Sequence, residues 1–191
     1  MIISKGGKVV RVGNNKMKKM TPRKGLIDYA HSEFKSEDLD IFLAAKSRFC
    51  IATSSGFFNI AGLFNVPIVM TNTAHTIIYF RLKKRDIFVP PLLKSKKDNQ
   101  FLNFKKIMFP PYSMVNTNVE KKYKEDFNVE LIKNSEDDIF CAVEEMINRL
   151  DSNNFENLTQ NQKKLANLIN ENQNIYTSEY IYAHALFPNK F

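Results

Sequence analysis

Thr53-Ser54-Ser55-Gly56 places hydroxyls directly before a glycine at the start of an apolar helical run. That arrangement suits a phosphate. The unpaired N–H groups of a helix's first turn and the helix dipole point at one spot. Ser54 and Ser55 can donate hydrogen bonds there, and Gly56 lets a ligand approach the backbone. A helix N-terminus contributes about 0.3–1 kcal/mol toward an exposed anion, so a cation such as Arg11 is expected to converge on the same phosphate. The plain alternative is a serine N-cap beside a turn glycine.

Other residues have weaker claims. Gly13 follows Arg11, and Asp28 and His31 lie close together in Asp28-Tyr29-Ala30-His31-Ser32. Asn72 and Thr73 follow another apolar run. Asp38-Leu39-Asp40 matches the D-x-D string of metal-dependent sugar transferases. Inside a helix, however, residues i and i+2 diverge, and a solvated first turn is expected. His75 and His184 have no metal-ligand spacing with Cys50 or Cys141, so no metal site is expected. Both cysteines fall on apolar stretches and read as buried core thiols. There is no G-x-G-x-x-G, no P-loop lysine and no G-x-S-x-G elbow.

These residues need elements to hold them. Lys8–Val12 reads as a β-branched strand ending at Gly13, and Gly25–Tyr29 as a second, weaker one. Ser36 caps a helix with Leu39, Phe42 and Leu43 as its apolar stripe. Arg48–Thr53 is a nearly continuous apolar strand, as expected when both faces are covered. Phe57–Phe64 is a short helix stopped near Asn65, and Val66–Met70 is the next strand. Strand, turn, helix and strand in so few residues imply a parallel βαβ unit. Residues 72–126 read mostly as loop, with a strand near Ile87–Val89 and a helix near Phe101–Ile107. Val129–Ile132 reads as the last strand. Ser135 and Asp138 form a capping box before a helix carrying Ile139, Phe140, Val143, Met146, Ile147 and Leu150. Thr159 and Gln162 cap another, with Leu165, Leu168 and Ile169. The tail from Tyr176 to Phe191 is aromatic but patternless. The expected class is α/β, with a mostly parallel sheet between layers of helices.

The 191 residues suit one domain, and 43% hydrophobic content suffices for a core. Net charge is +8. Residues 1–24 carry Lys5, Lys8, Arg11, Lys16, Lys18, Lys19, Arg23 and Lys24 and no acid, while acids gather between Glu120 and Glu156. An anionic partner for the first half follows: nucleotide phosphates, nucleic acid or a lipid surface. Nucleic acid is not expected, because helix-turn-helix, zinc-finger and RNA-recognition signatures are absent. No apolar run is long enough to span a bilayer, which leaves at most a peripheral membrane contact. The opening residues lack a signal-peptide core, and two distant cysteines make no disulfide framework. A cytoplasmic location is expected.

Several stretches resemble a family of bacterial glycosyltransferases. They are Ile3–Gly13, Ile27–Ser32, Lys35–Leu43, the run from Ala45 through Thr53-Ser54-Ser55-Gly56 to Ile68, and Asn134–Ile139 with Glu144–Met146. The resemblance covers roughly residues 3–150, with the motifs in order. It implies the C-terminal, donor-binding half of a two-domain GT-B enzyme acting on cell-surface polysaccharides. Residues 1–150 would form a Rossmann-like, three-layer nucleotide-sugar-binding domain. Residues 151–191 would be a C-terminal helix and tail packed on it. By the resemblance, Ser54, Ser55 and Gly56 hold the donor diphosphate and Arg11 helps to neutralise it, while Thr53 and Gly13 are substrate-binding candidates from their places at the strand ends. Asp28 and His31 line the nucleotide or sugar pocket. No metal or other cofactor is implied. The partners would be a nucleoside-diphosphate sugar and a glycan acceptor. A methionine opens almost on the first strand, so the expectation is a donor half from a split or truncated gene, inactive alone, with a separate chain as one source of the acceptor domain. The alternative is a non-catalytic nucleotide-binding or protein-interaction module.

Overall fold

The computed structural model describes residues 1–73, 83–107, 110–115, 118–170 and 184–185. Within them the chain is α/β, with helices and small, mostly parallel sheets. Strands β1 (Val9–Val10) and β2 (Leu26–Ile27) pair in parallel as a separate two-stranded sheet. After β2 the chain turns through a short 3-10 segment, Tyr29–His31, and enters helix α1 (Glu37–Lys46). Ser36 caps α1 by accepting from the Leu39 N–H at 3.2 Å. The acids of its first turn suit the dipole.

The βαβ unit forms as expected. Strand β3 (Cys50–Ala52), helix α2 (Gly56–Leu63) and strand β4 (Ile68–Met70) follow in order, and β3 pairs with β4 in parallel. Asn65, at φ 56°, breaks the helix. The left-handed region is unfavourable for most residues and tolerable for asparagine. Strands β5 (Ile87–Phe88) and β8 (His184–Ala185) extend the sheet in the order β3-β4-β5-β8, all parallel. The central strands are sealed: Val69, Met70, Ile87 and Phe88 are fully buried.

Between residues 90 and 132 the chain is more ordered than its sequence suggests. Strand β6 (Leu92–Ser95) pairs antiparallel with β7 (Val129–Ile132), and helices α3 (Phe104–Ile107) and α4 (Val119–Glu125) lie between them. Loop composition hides β6, because Pro90-Pro91 precede it and Lys94 interrupts its apolar run. Helix α5 (Glu136–Ser152) carries the expected reciprocal Ser135–Asp138 capping box and crosses residue 150 without a break. Thr159 and Gln162 make the same reciprocal pair before α6 (Gln160–Asn170).

Some expectations fail on burial. Strand β3 is not covered on both faces, because Ile51 is 43% exposed and β3 is an edge strand. Phe42 and Phe140 stand in the periodic stripes of α1 and α5 but are about half exposed. Ala44 takes the buried position on α1, and Ala142 with Val143 and Met146 on α5. Cys50 is buried, whereas Cys141 is exposed. Strand β7 is not the last strand, and its partner is antiparallel. Residue His75 and most of the 176–191 tail lie outside the described residues.

Candidate functional site

Parallel pairing in register places Val10 beside Ile27, so the next residues, Arg11 and Asp28, leave the strand ends side by side. The Arg11 N–H donates to the Ile27 carbonyl at 2.8 Å, which carries the pairing one step further. The Arg11 side chain then donates from Nε to Asp28 Oδ1 at 2.7 Å. The 3-10 turn brings His31 back onto the pair, with Nδ1 2.9 Å from Arg11 Nη2 and 3.2 Å from Asp28 Oδ2. His31 Nε2 lies 3.0 Å from the Asn15 carbonyl. Nε2 can donate to that carbonyl, while Nδ1 faces both the Arg11 guanidinium and the Asp28 carboxylate.

Asp28 also accepts the Met20 N–H at 2.9 Å. That bond, with the Arg11 hydrogen bond and charge and the nearby His31, holds the carboxyl below the usual carboxylate range despite its partial burial. Tyr29 and Ala30 in the same segment are buried, and the Tyr29 hydroxyl donates to the Ser36 carbonyl at 3.1 Å and accepts its N–H at 3.0 Å. The 28–31 segment is thus anchored on a rigid base. Gly13, at φ 144°, follows Arg11 in a conformation that side-chain-bearing residues rarely adopt.

The hydroxyl turn stands at the carboxyl end of β3. Thr53, Ser55 and Gly56 are exposed and Ser54 is half-buried. Ser55 is the N-cap of α2 by backbone conformation, yet its side chain makes no capping hydrogen bond. A Cβ added at Gly56 would meet open space. The turn therefore presents hydroxyls and first-turn amides outward. Among the described residues, no hydrogen bond or ion pair joins it to Arg11, Asp28 or His31. The structure brings Arg11, Asp28 and His31 into one cluster and leaves Thr53–Gly56 as a second, separate feature.

The neighbouring strand ends are closed. Asn72, after β4, and Asn134, after β7, exchange reciprocal amide bonds at 2.7 and 2.8 Å, and Asn134 Nδ2 donates to the Pro90 carbonyl. Thr71 and Thr73 are buried. The Asn72–Asn134 lock joins residues far apart in sequence, so no local pattern announces it. The Asn15 carbonyl and the Met20 amide are equally illegible, because backbone groups carry no residue signature.

At the amino ends of the strands β4 and β5, buried Asp86 accepts the Ile68 N–H at 2.8 Å and the Lys83 N–H at 2.7 Å. Burial pushes its carboxyl up to about 6, against the pull of those two donors and of Lys83 and Arg85. Burial, with the Asp86 charge nearby, raises the Cys50 thiol to about 11, which leaves it an inert core group. Among the described residues there is no cluster of three or more potential metal ligands, and no helix is long and apolar enough to cross a membrane. No family model, no curated protein and no solved structure matches the chain.

Proposed function

We propose that this chain is the donor-binding half of a glycosyltransferase of GT-B type, with a Rossmann-like layered arrangement around its parallel sheet. It binds a nucleoside-diphosphate sugar for transfer to a glycan and works with an acceptor domain. The observation that carries this is the Thr53–Gly56 turn. It is an outward-facing hydroxyl and amide surface at the carboxyl end of a parallel strand, where open α/β sheets take their ligands. Ser54, Ser55 and the Gly56 amide hold the diphosphate. Arg11, at the end of β1 in the separate two-stranded sheet, is paired with Asp28 and joins the diphosphate only by exchanging that partner. Stabilising charge on the departing diphosphate is the contribution to catalysis this half makes.

The test is a thermal-shift panel of UDP-, GDP-, ADP- and CMP-sugars on the native chain. A bound donor at a hundred times its dissociation constant adds about 2.7 kcal/mol of stability. Replacing Ser54 and Ser55 together by alanine is expected to cost tenfold or more in affinity, because hydrogen bonds to charged groups contribute about 1.5–3 kcal/mol each. A panel with no shift, or a double variant that binds like the native chain, removes the donor site.

One further observation favours a second reading, a protein-interaction module. Ile51 on edge strand β3, Phe42 on α1, and Leu63 and Phe64 at the end of α2 are all exposed apolar groups. Among the described residues the outer edge of β3 has no partner strand, and a strand edge with exposed apolar groups favours association. Under this reading, size-exclusion chromatography detects self-association that Ile51→Lys abolishes, and no sugar nucleotide shifts the melting temperature.

A further inference from the structure

The segment between Gly13 and Gly25 has a composition and an anchoring that the donor reading does not use. From Asn14 to Lys24 every residue is exposed. Lys16, Lys18, Lys19, Arg23 and Lys24 stand there without an acid among them. Met17 and Met20 sit between the cations and are 45% and 39% exposed. Ile27, just beyond, is 48% exposed. Met17 rests its sulfur against Gly13 and Met20 stands between Lys19 and Pro22, so the cations flank two partly exposed, flexible apolar side chains.

The loop is also held in place. His31 Nε2 engages the Asn15 carbonyl and Asp28 Oδ2 accepts the Met20 N–H, so the two clamps bracket Lys16–Lys19. The Lys16 N–H donates to Asn14 Oδ1 and the Met17 N–H to the Asn14 carbonyl, which folds the tip. Both boundary glycines have positive φ, and a Cβ on Gly25 would come within 2.9 Å of the Ile3 side chain. The cluster at the ends of β1 and β2 therefore presents four consecutive residues, Lys-Met-Lys-Lys, outward.

We propose that this loop docks on an anionic lipid bilayer. The lysines and Arg23 lie over the headgroup phosphates, and Met17 and Met20 enter the boundary with the acyl chains. Juxtaposed cations and flexible apolar side chains are the two attractions a bilayer surface rewards together. A small phosphate meets the cations but gains nothing from Met17 and Met20. A nucleic acid finds charge but no stacking platform, since residues 14–24 contain no aromatic. This proposal stands without the donor reading.

The test is co-sedimentation of the full chain with phosphatidylcholine vesicles, with and without phosphatidylserine. Binding is expected only where phosphatidylserine is present and is expected to fall as salt rises. Lys16→Gln, Lys18→Gln and Lys19→Gln together are expected to weaken it about a hundredfold. Met17→Ser with Met20→Ser is expected to weaken it about tenfold and leave the salt dependence as in the native chain. All five positions are exposed, and circular dichroism of each variant is the check that it is folded. Absence of binding to phosphatidylserine vesicles overturns the proposal. So does a lysine variant that binds like the native chain. Tighter binding to duplex DNA or RNA than to vesicles, indifferent to the two methionines, overturns it in favour of a nucleic-acid surface.

Discussion

Arg11 and Arg149 each face a carboxylate, and the two ion pairs are built in opposite ways. Arg149 meets Glu145 one helical turn away, with Nε donating to Oε1 at 2.6 Å, and its Nη2 donates to the Asn157 carbonyl at 2.8 Å. Gln162, whose side chain caps α6, donates to the same Glu145 oxygen at 2.8 Å. Arg149 and Gln162 are buried and Glu145 is half-buried, and the network joins α5 to the start of α6. The Arg11 cluster is drawn from two strand ends and a 3-10 turn, is partly open to solvent, and ties down a loop. The interior network resists change because low dielectric makes each lost partner costly. The surface cluster can hold a loop and still meet an outside partner.

The largest expected difference comes from removing each arginine. Arg149→Ala removes a buried guanidinium and its bonds to the half-buried Glu145 and to the Asn157 carbonyl, and is expected to cost about 2–3 kcal/mol in urea denaturation. Arg11→Ala is expected to cost much less. Equal losses would erase the contrast.

Interior carboxylates sharpen it through pH. Asp86 titrates near 6 when folded and near 3.8 when unfolded, so the folded state retains a proton that the unfolded state has released. Global stability is therefore expected to fall as pH rises from about 4 to 6, by about 3 kcal/mol. Asp86→Asn is expected to flatten that slope, measured by denaturation at a series of pH values. A slope unchanged in the variant would assign it to another group.

Smaller effects follow at the caps. Thr159→Ala removes the acceptor for the Gln162 N–H and is expected to cost about 1 kcal/mol. An additional loss in the Arg149→Ala background smaller than that sum would show that cap and network act as one unit.

The smallest effect is local and has the opposite pH sign. Asp28 is held below the usual carboxylate range, so its contribution is present above that range and is lost as pH falls through the lowered value. Hydrogen exchange at the Met20 amide is expected to speed up there, beyond its intrinsic pH dependence, while global stability barely moves. Protection that persists in Asp28→Ala, which removes the acceptor, would show that the clamp does not hold the loop.

Much of this molecule was determined locally. The Ser135 and Thr159 capping boxes, the βαβ unit from β3 to β4 and the strands around Arg11 and Asp28 all follow from short-range rules. Capping, helix periodicity and turn chemistry act over a few residues and leave their marks in sequence. Burial is different. Phe42, Phe140, Ile51 and Cys141 sit in apolar patterns, but exposure depends on what another element covers, and nothing in their neighbourhood encodes that. The same holds for β6, which becomes a strand by pairing with β7 across more than thirty residues. Arg11 is the clearest case. Its place at a strand end was legible, and its engagement by Asp28 and His31 was decided by strand register and a 3-10 turn. A side chain's partner is a property of three-dimensional neighbours, and only the folded chain chooses them.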